Sequence, residues 1–185
     1  MSMKKSFSSK IVFCALMLAA ANISFAQDKV KIKDVRKNCV KGSYRICIKM
    51  AKQYLNQEPA SFEGNYLLGV AYAGQANEHT EAHKKFAAEH PKPTATDQVE
   101  EKAILINEIN CSDSSAIYYS KSEPLLGESF IKKNINACKV GMGGCYNEFS
   151  GSNTTLESAR KMILSEVKRW QNNSANAKRN HDSIK

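Results

Sequence analysis

His79 and His83 stand four residues apart, a spacing that lets two imidazoles reach one metal ion from a single helix face. Glu78 or Glu81 could add a carboxylate oxygen. The order is not that of the zincins, where a glutamate directly follows the first histidine. A solvated polar helix face accounts for the same residues, so no metal and no other cofactor is assigned. The second chemistry to consider is a thiolate nucleophile. If the other mature cysteines are paired, that role falls to Cys111, in the polar stretch Cys111-Ser112-Asp113-Ser114-Ser115, which reads as a loop with no histidine nearby. An intermolecular bridge or a partly buried thiol explains Cys111 as well. The chain has no G-x-S-x-G, no phosphate loop and no dinucleotide fingerprint. Gly141-Met142-Gly143-Gly144 reads as a turn, and Glu100-Glu101 as a solvated helix feature. No reaction is named by these residues, and a non-enzymatic role is expected. Tyr118, Tyr119 and Trp170 could contribute to a binding surface, where aromatics dominate the energetics.

The elements that must position these residues begin after an export signal. Lys4, Lys5 and Lys10 precede an apolar stretch over 11–21, and Ser24-Phe25-Ala26 closes it with small residues at the positions a signal peptidase reads. The stretch is shorter than the roughly 20 apolar residues a membrane span needs. An uncleaved anchor is the competing reading, and processing as a lipoprotein at Cys14 is disfavoured by bulky Phe13 before it. Removal of 1–26 leaves 159 of the 185 residues, enough for one domain with a core. It also takes three lysines and no acid, so the net charge falls from +9 to +6. Nucleic acid is not expected as a partner outside the cytoplasm. The charge suits anionic headgroups, an acidic wall polymer or an acidic protein face, or it serves solubility. Five cysteines remain, an odd number that leaves at least one thiol free or bridged to another chain, in a periplasmic or secreted setting where disulfides persist. Sequence alone leaves the connectivity open.

Residues 27–38 are a lysine-rich lead-in or a short first helix. Helical spacing of Ile46, Met50 and Leu55 predicts a helix over 44–56, ended by Pro59. Further helices are expected over 62–76, over 80–89 and, with Val99, Ala103, Ile106 and Ile109 on its apolar side, over 97–110. Two prolines in 91–93 stop the 80–89 helix and open a linker. Ile117-Tyr118-Tyr119 reads as a short strand or an irregular packed segment, and Pro124 opens a helix towards Cys138. The last helix starts at a capping box of Thr154 and Glu157, carries the stripe Leu156, Ala159, Ile163, Val167 and Trp170, and gives way to a disordered polar tail.

Leu68-Gly69-x-x-Tyr72, then Ala82-x-x-x-Phe86, then Pro91, resembles the tetratricopeptide repeat pattern. The resemblance implies an antiparallel helix pair in which Gly69 allows close approach and Leu68, Tyr72, Ala82 and Phe86 pack together. Cys39-x7-Cys47 is similar to the cystine spacing of secreted Sel-like repeat proteins, and Cys138 to Cys145 is one residue shorter. That likeness implies bridges Cys39–Cys47 and Cys138–Cys145, leaving Cys111 over.

The expected fold is all-α, with tetratricopeptide-like helix pairs, a helical C-terminal part and disulfide staples. Its expected organisation is 1–26 signal peptide, 27–93 repeat-like region, 94–172 C-terminal helical region and 173–185 tail. The expected function is an exported, periplasmic protein-binding module, an accessory or assembly factor of an envelope complex such as a secretion system. The alternatives are an immunity or inhibitor protein against a cell-wall-degrading enzyme, and a metal- or thiol-dependent enzyme using His79 and His83 or Cys111. The expected partner is a protein of the cell envelope, with no stable membrane insertion after signal cleavage; small-molecule ligands stay open.

Overall fold

The computed structural model describes residues 29–139 and 155–184, and every element among them is helical. In chain order these are α1 (Ile32–Val40), α2 (Tyr44–Gln57), α3 (Phe62–Glu89), α4 (Ala95–Ser122), a 3-10 turn (Glu123–Leu125), α5 (Glu128–Lys139) and α6 (Leu156–Ser183). The export signal at 1–26, the glycine turn at 141–144 and Cys145, with the Cys138–Cys145 pairing, lie outside the described residues.

The first turn is set by backbone chemistry. Gly42 has φ 71°, a left-handed conformation that a side chain disfavours. Its N–H donates to the Cys39 carbonyl at 3.0 Å and that of Ser43 to Asn38 at 3.0 Å, so the last carbonyls of α1 are satisfied. The reversal brings Cys39 and Cys47 together as a disulfide with Cα atoms 5.4 Å apart. Both cysteines are buried and Cys39 Sγ lies 3.4 Å from the Leu67 carbonyl oxygen, so the staple faces α3. Arg36 of α1 adds an ion pair with Glu63 of α3.

The helix pair expected within 62–89 does not form, because α3 runs unbroken for 28 residues. Nothing at 77–79 stops a helix, since Asn-Glu-His contains neither glycine nor proline. The reversal comes at the prolines instead. Ser61 caps the start of α3 by accepting from Gly64 N–H at 3.1 Å. Thr94 and Asp97 form a reciprocal capping box that starts α4 at Ala95, two residues earlier than expected. The backbone N–H of Thr94, donating to the Asp97 carboxylate at 2.7 Å, holds that group below the ordinary carboxylate range.

Helix α4 also lacks its expected breaks. The run 111–115 is helical, and so is 117–119, which is neither strand nor irregular. Serine is only a mediocre helix former, but tertiary contacts override so weak a preference. Ser112 and Ser115 are fully buried, and Ser115 Oγ donates to the Gly69 carbonyl of α3 at 3.0 Å. The helix buries Leu105, Glu108, Ser112, Ala116 and Tyr119, whereas Val99 is 69 % and Ile106 45 % exposed, so the apolar side expected for 97–110 points largely outward. Ile46 of α2 is likewise exposed. Pro124 lies in the 3-10 turn before α5, rather than in α5 itself.

Helices α3 and α4 are antiparallel along their whole length. Tyr66 meets Tyr119 edge-on with ring centroids 5.4 Å apart, Thr80 donates to Glu108 at 2.9 Å, and His83 reaches Glu101 at 3.0 Å. Close approach at the centre depends on Gly69, where a β-carbon would lie 3.1 Å from the Tyr119 ring. The expectation that Gly69 serves a close helix contact therefore holds with α4 as the partner, not with 80–89.

Helix α6 packs along α4 on the expected stripe of Ala159, Ile163 and Trp170, then continues it through Ser174 and Ala177, all buried. The expected disordered tail at 173–185 is thus helical to Ser183, and Lys178 pairs with Asp113 of α4 at 3.1 Å. The cap lies one residue further on than expected: Thr155 pairs with Ser158, which leaves Glu157 to bind Lys161 at 2.7 Å. One core unites the boundary expected at 93/94, running from Val35, Cys47 and Leu67 through Tyr119 to Ile163 and Trp170.

Gly69→Val should destabilise the protein by about 1–3 kcal/mol, because the added methyls displace Tyr119 from a filled seam. Gly127→Ala should be nearly neutral, since its β-carbon would meet only Ser129 Oγ at 3.8 Å. Urea unfolding of both variants checks the contrast. Cys39→Ser should cost about 2–3 kcal/mol by loss of the short cystine loop, seen as a lower midpoint in oxidising buffer and no difference from the parent under reducing conditions.

Candidate functional site

The residues that sequence suggested for metal and thiol chemistry are placed apart. His83 is half-buried with Nε2 3.0 Å from Glu101 Oε1, so it serves the α3–α4 pairing. His79 lies on α3 one turn earlier, within the helix rather than at its start. Among the described residues, no group of three or more histidine, cysteine, aspartate or glutamate side chains converges. Cys111 is a free, half-buried thiol on α4, not in a loop, with Sγ 3.9 Å from Gln75 Oε1. Burial, followed by the nearby Glu78 carboxylate, pushes its pKa above the ordinary thiol value. This is the opposite of the activation a nucleophile needs.

The packing set implied by the repeat resemblance is dispersed too. Leu68 is fully buried in the core, and Tyr72 is half-buried at its edge. Ala82 is exposed. Phe86 is buried far out on the hairpin, stacked on His90 with centroids 4.3 Å apart.

What the fold does assemble is a groove where α2, α3 and α4 meet. It encloses about 490 Å³ and is lined by Lys52, Leu55, Asn56, Pro59, Asn65, Tyr118 and Lys121. Successive residues on a helix point about 100° apart, so Tyr119 is buried against α3 while Tyr118 is left at the groove. Tyr118 stacks on Tyr72 of α3 with centroids 5.8 Å apart and planes within 6°. Each ring carries an ammonium over its face: Lys52 Nζ is 5.6 Å from the Tyr72 centroid, and Lys121 Nζ 5.0 Å from that of Tyr118. These are cation–π distances. A hydrogen bond to the Tyr72 hydroxyl raises the pKa of Lys52 above its ordinary value, so the amine is charged at neutral pH. The floor is polar: Asn65 is buried, its Nδ2 donating to the Ser61 carbonyl at 2.9 Å.

Lys121 borders a second groove of about 490 Å³ between α4 and α6, lined by Asp113, Ala116, Ile117, Ser120, Val167 and Gln171 as well. Ile117, 51 % exposed, lines this second groove only, and Lys121 is the residue the two share. Of the aromatics considered for a binding surface, Tyr118 therefore reaches one, whereas Tyr119 and Trp170 are core residues. Trp170 is 2 % exposed and donates through Nε1 to Glu166 at 3.1 Å. The sequence signal that could have found the site is the Tyr118–Lys121 spacing of three, which puts both on one helix face. Lys52 and Tyr72 come from distant segments and left no such trace.

The chemistry available here is recognition. Two restrained ammonium groups, stacked phenol rings and apolar patches can hold an anionic, partly apolar ligand. At neutral pH, Cys111 should alkylate several-fold more slowly in the folded chain than in the urea-unfolded chain. Its rate should rise as pH climbs past the ordinary thiol range, because a raised pKa defers formation of the thiolate. Mass mapping of the modified peptide reads both effects. No described helix is long and apolar enough to cross a membrane. Compared with known proteins, the chain matches no family model, no curated protein and no solved structure.

Proposed function

We propose that this protein is an exported, non-enzymatic binding module that works in the cell envelope as an accessory or assembly factor, with the α2–α3–α4 groove as its docking site. The observation that carries the reading is the groove itself, with two lysines held by stacked tyrosines and no carboxylate partner for either among the described residues. Export is supported by the charged, apolar, small-residue order of 1–26 and by the Cys39–Cys47 bridge, which suits an oxidising compartment. The long antiparallel hairpin is the kind of helical scaffold on which adaptor proteins display a groove, and that likeness is one of fold alone.

A second reading, an inhibitor or immunity protein for a cell-wall-degrading enzyme, is favoured by a different feature. Between residues 77 and 104 neither α3 nor α4 contributes to the shared core. This part of the hairpin is an arm held by Thr80–Glu108, His83–Glu101 and the Phe86–His90 stack, with 91–96 exposed at its tip. An arm of that form could enter an enzyme cleft.

Photo-crosslinkers placed at Lys52 and at Lys92 in living cells separate the two. The module reading expects the processed chain, beginning at Gln27, in the periplasm, with adducts to an envelope protein from position 52. Adducts to a cell-wall hydrolase from position 92 alone would favour the inhibitor. Recovery of unprocessed, fully reduced chain from the cytosol would overturn both.

A further inference from the structure

Resting on the binding-module reading, we propose that the groove recognises an acidic peptide segment of its partner, with carboxylates at Lys52 and Lys121 and an apolar side chain against Ile117 in the adjoining α4–α6 groove. The charge pattern is the first argument. Most cations on the long helices are answered locally: Lys84 by Glu81, Lys85 by Glu89, Lys161 by Glu157 and Lys178 by Asp113. Among the described residues, Lys52 and Lys121 have no such answer, and no acidic residue lines the groove they share. Other lysines without an ion pair among the described residues, such as Lys33 and Lys37 of α1 and Lys168 of α6, lie on exposed helix faces.

Restraint is the second. A free lysine loses much side-chain freedom on binding, whereas these two already rest over tyrosine rings at 5.6 and 5.0 Å. The ordering cost at the interface is therefore partly met before a ligand arrives.

Shape is the third. Leu55 and Pro59 offer apolar contact beside Lys52, and Ile117 and Val167 do so beyond Lys121, so two adjoining grooves meet at one lysine. A lone inorganic anion would engage one ammonium and leave these surfaces wet. An extended peptide crossing α4 covers them all. Anionic lipid is the competing source of negative charge, but a flat bilayer surface cannot enter a concave groove.

The test is selection of a random dodecapeptide library on the chain as recovered from cells, cystine intact, followed by binding titrations with the selected peptides and with vesicles containing phosphatidylglycerol. Enriched peptides should carry aspartate or glutamate beside an apolar residue. Their affinity should fall about tenfold or more in the K52E/K121E double variant, as expected when charge complementarity becomes repulsion. It should be retained within about threefold in K52R/K121R and in the α1 control K33E/K37E, whose effect is only a long-range, screened one. Circular dichroism should be unchanged in all of them, because each altered residue is exposed. Enrichment of peptides without acidic residues, no enrichment, equal loss in K33E/K37E, or vesicle binding that the selected peptides do not displace would each overturn the proposal. A cytosolic location would sink the export reading without touching this selection, and a failed selection leaves the export and crosslinking results standing.

Discussion

The contact between α3 and α4 at Gly69 is the constraint around which the molecule is organised. With no side chain on Gly69, the Tyr119 ring lies directly against the α3 backbone, and Ser115 hydrogen-bonds the Gly69 carbonyl. Glycine inside a helix costs about 1 kcal/mol relative to alanine. Burial of Tyr119 and its edge-on contact with Tyr66 offset that. The same register fixes where Tyr118 goes. With Tyr119 committed to the seam, its neighbour emerges beside Tyr72, and Lys121, one turn further on, comes to rest over it. The groove is a consequence of the core.

The remaining wall depends on the N-terminal staple. Gly42 and the Cys39–Cys47 bridge fold α1 back on α2, and Arg36 ties the pair to Glu63. Buried Cys47 and Ala51 then seat α2 on α3, which leaves Lys52, the next residue, at the rim near Tyr72. Loosening the staple would move Lys52 before it disturbed the long hairpin. Oxidation of the two thiols thus bears on the shape of the groove as well as on stability.

Stability along the hairpin is uneven. Its proximal half is sandwiched among α2, α6 and the core, whereas the distal arm relies on half-buried polar pairs. Such pairs contribute modestly one by one, and segments with few buried apolar contacts open at lower free energy than the core. Val99 and Ile106 on the arm are exposed without any covering element among the described residues. The base that carries the groove is thus the more firmly packed part of the hairpin, and the arm the less.

Much of the secondary structure was legible from sequence because it follows from local rules. The 44–56 helix, the prolines that end α3, and the stripe from Ala159 to Trp170 come from helical periodicity and the missing proline N–H, which act within a few residues. The Cys39–Cys47 pairing was implied by the resemblance to Sel-like repeat proteins, and the geometry of Gly42 explains why that spacing closes. Continuity of α3 and α4, the helical tail and the site were decided by tertiary structure. Serines at 112, 115 and 174 and the alanine at 177 look like loop or tail by composition, yet small side chains are what closely approaching helices need. Whether a serine is a loop residue or a seam residue depends on the partner opposite, and that partner lies tens of residues away. The groove is the clearest case: Lys52, Tyr72, Tyr118 and Lys121 are unremarkable one at a time, and only packing three helices around Gly69 makes them neighbours.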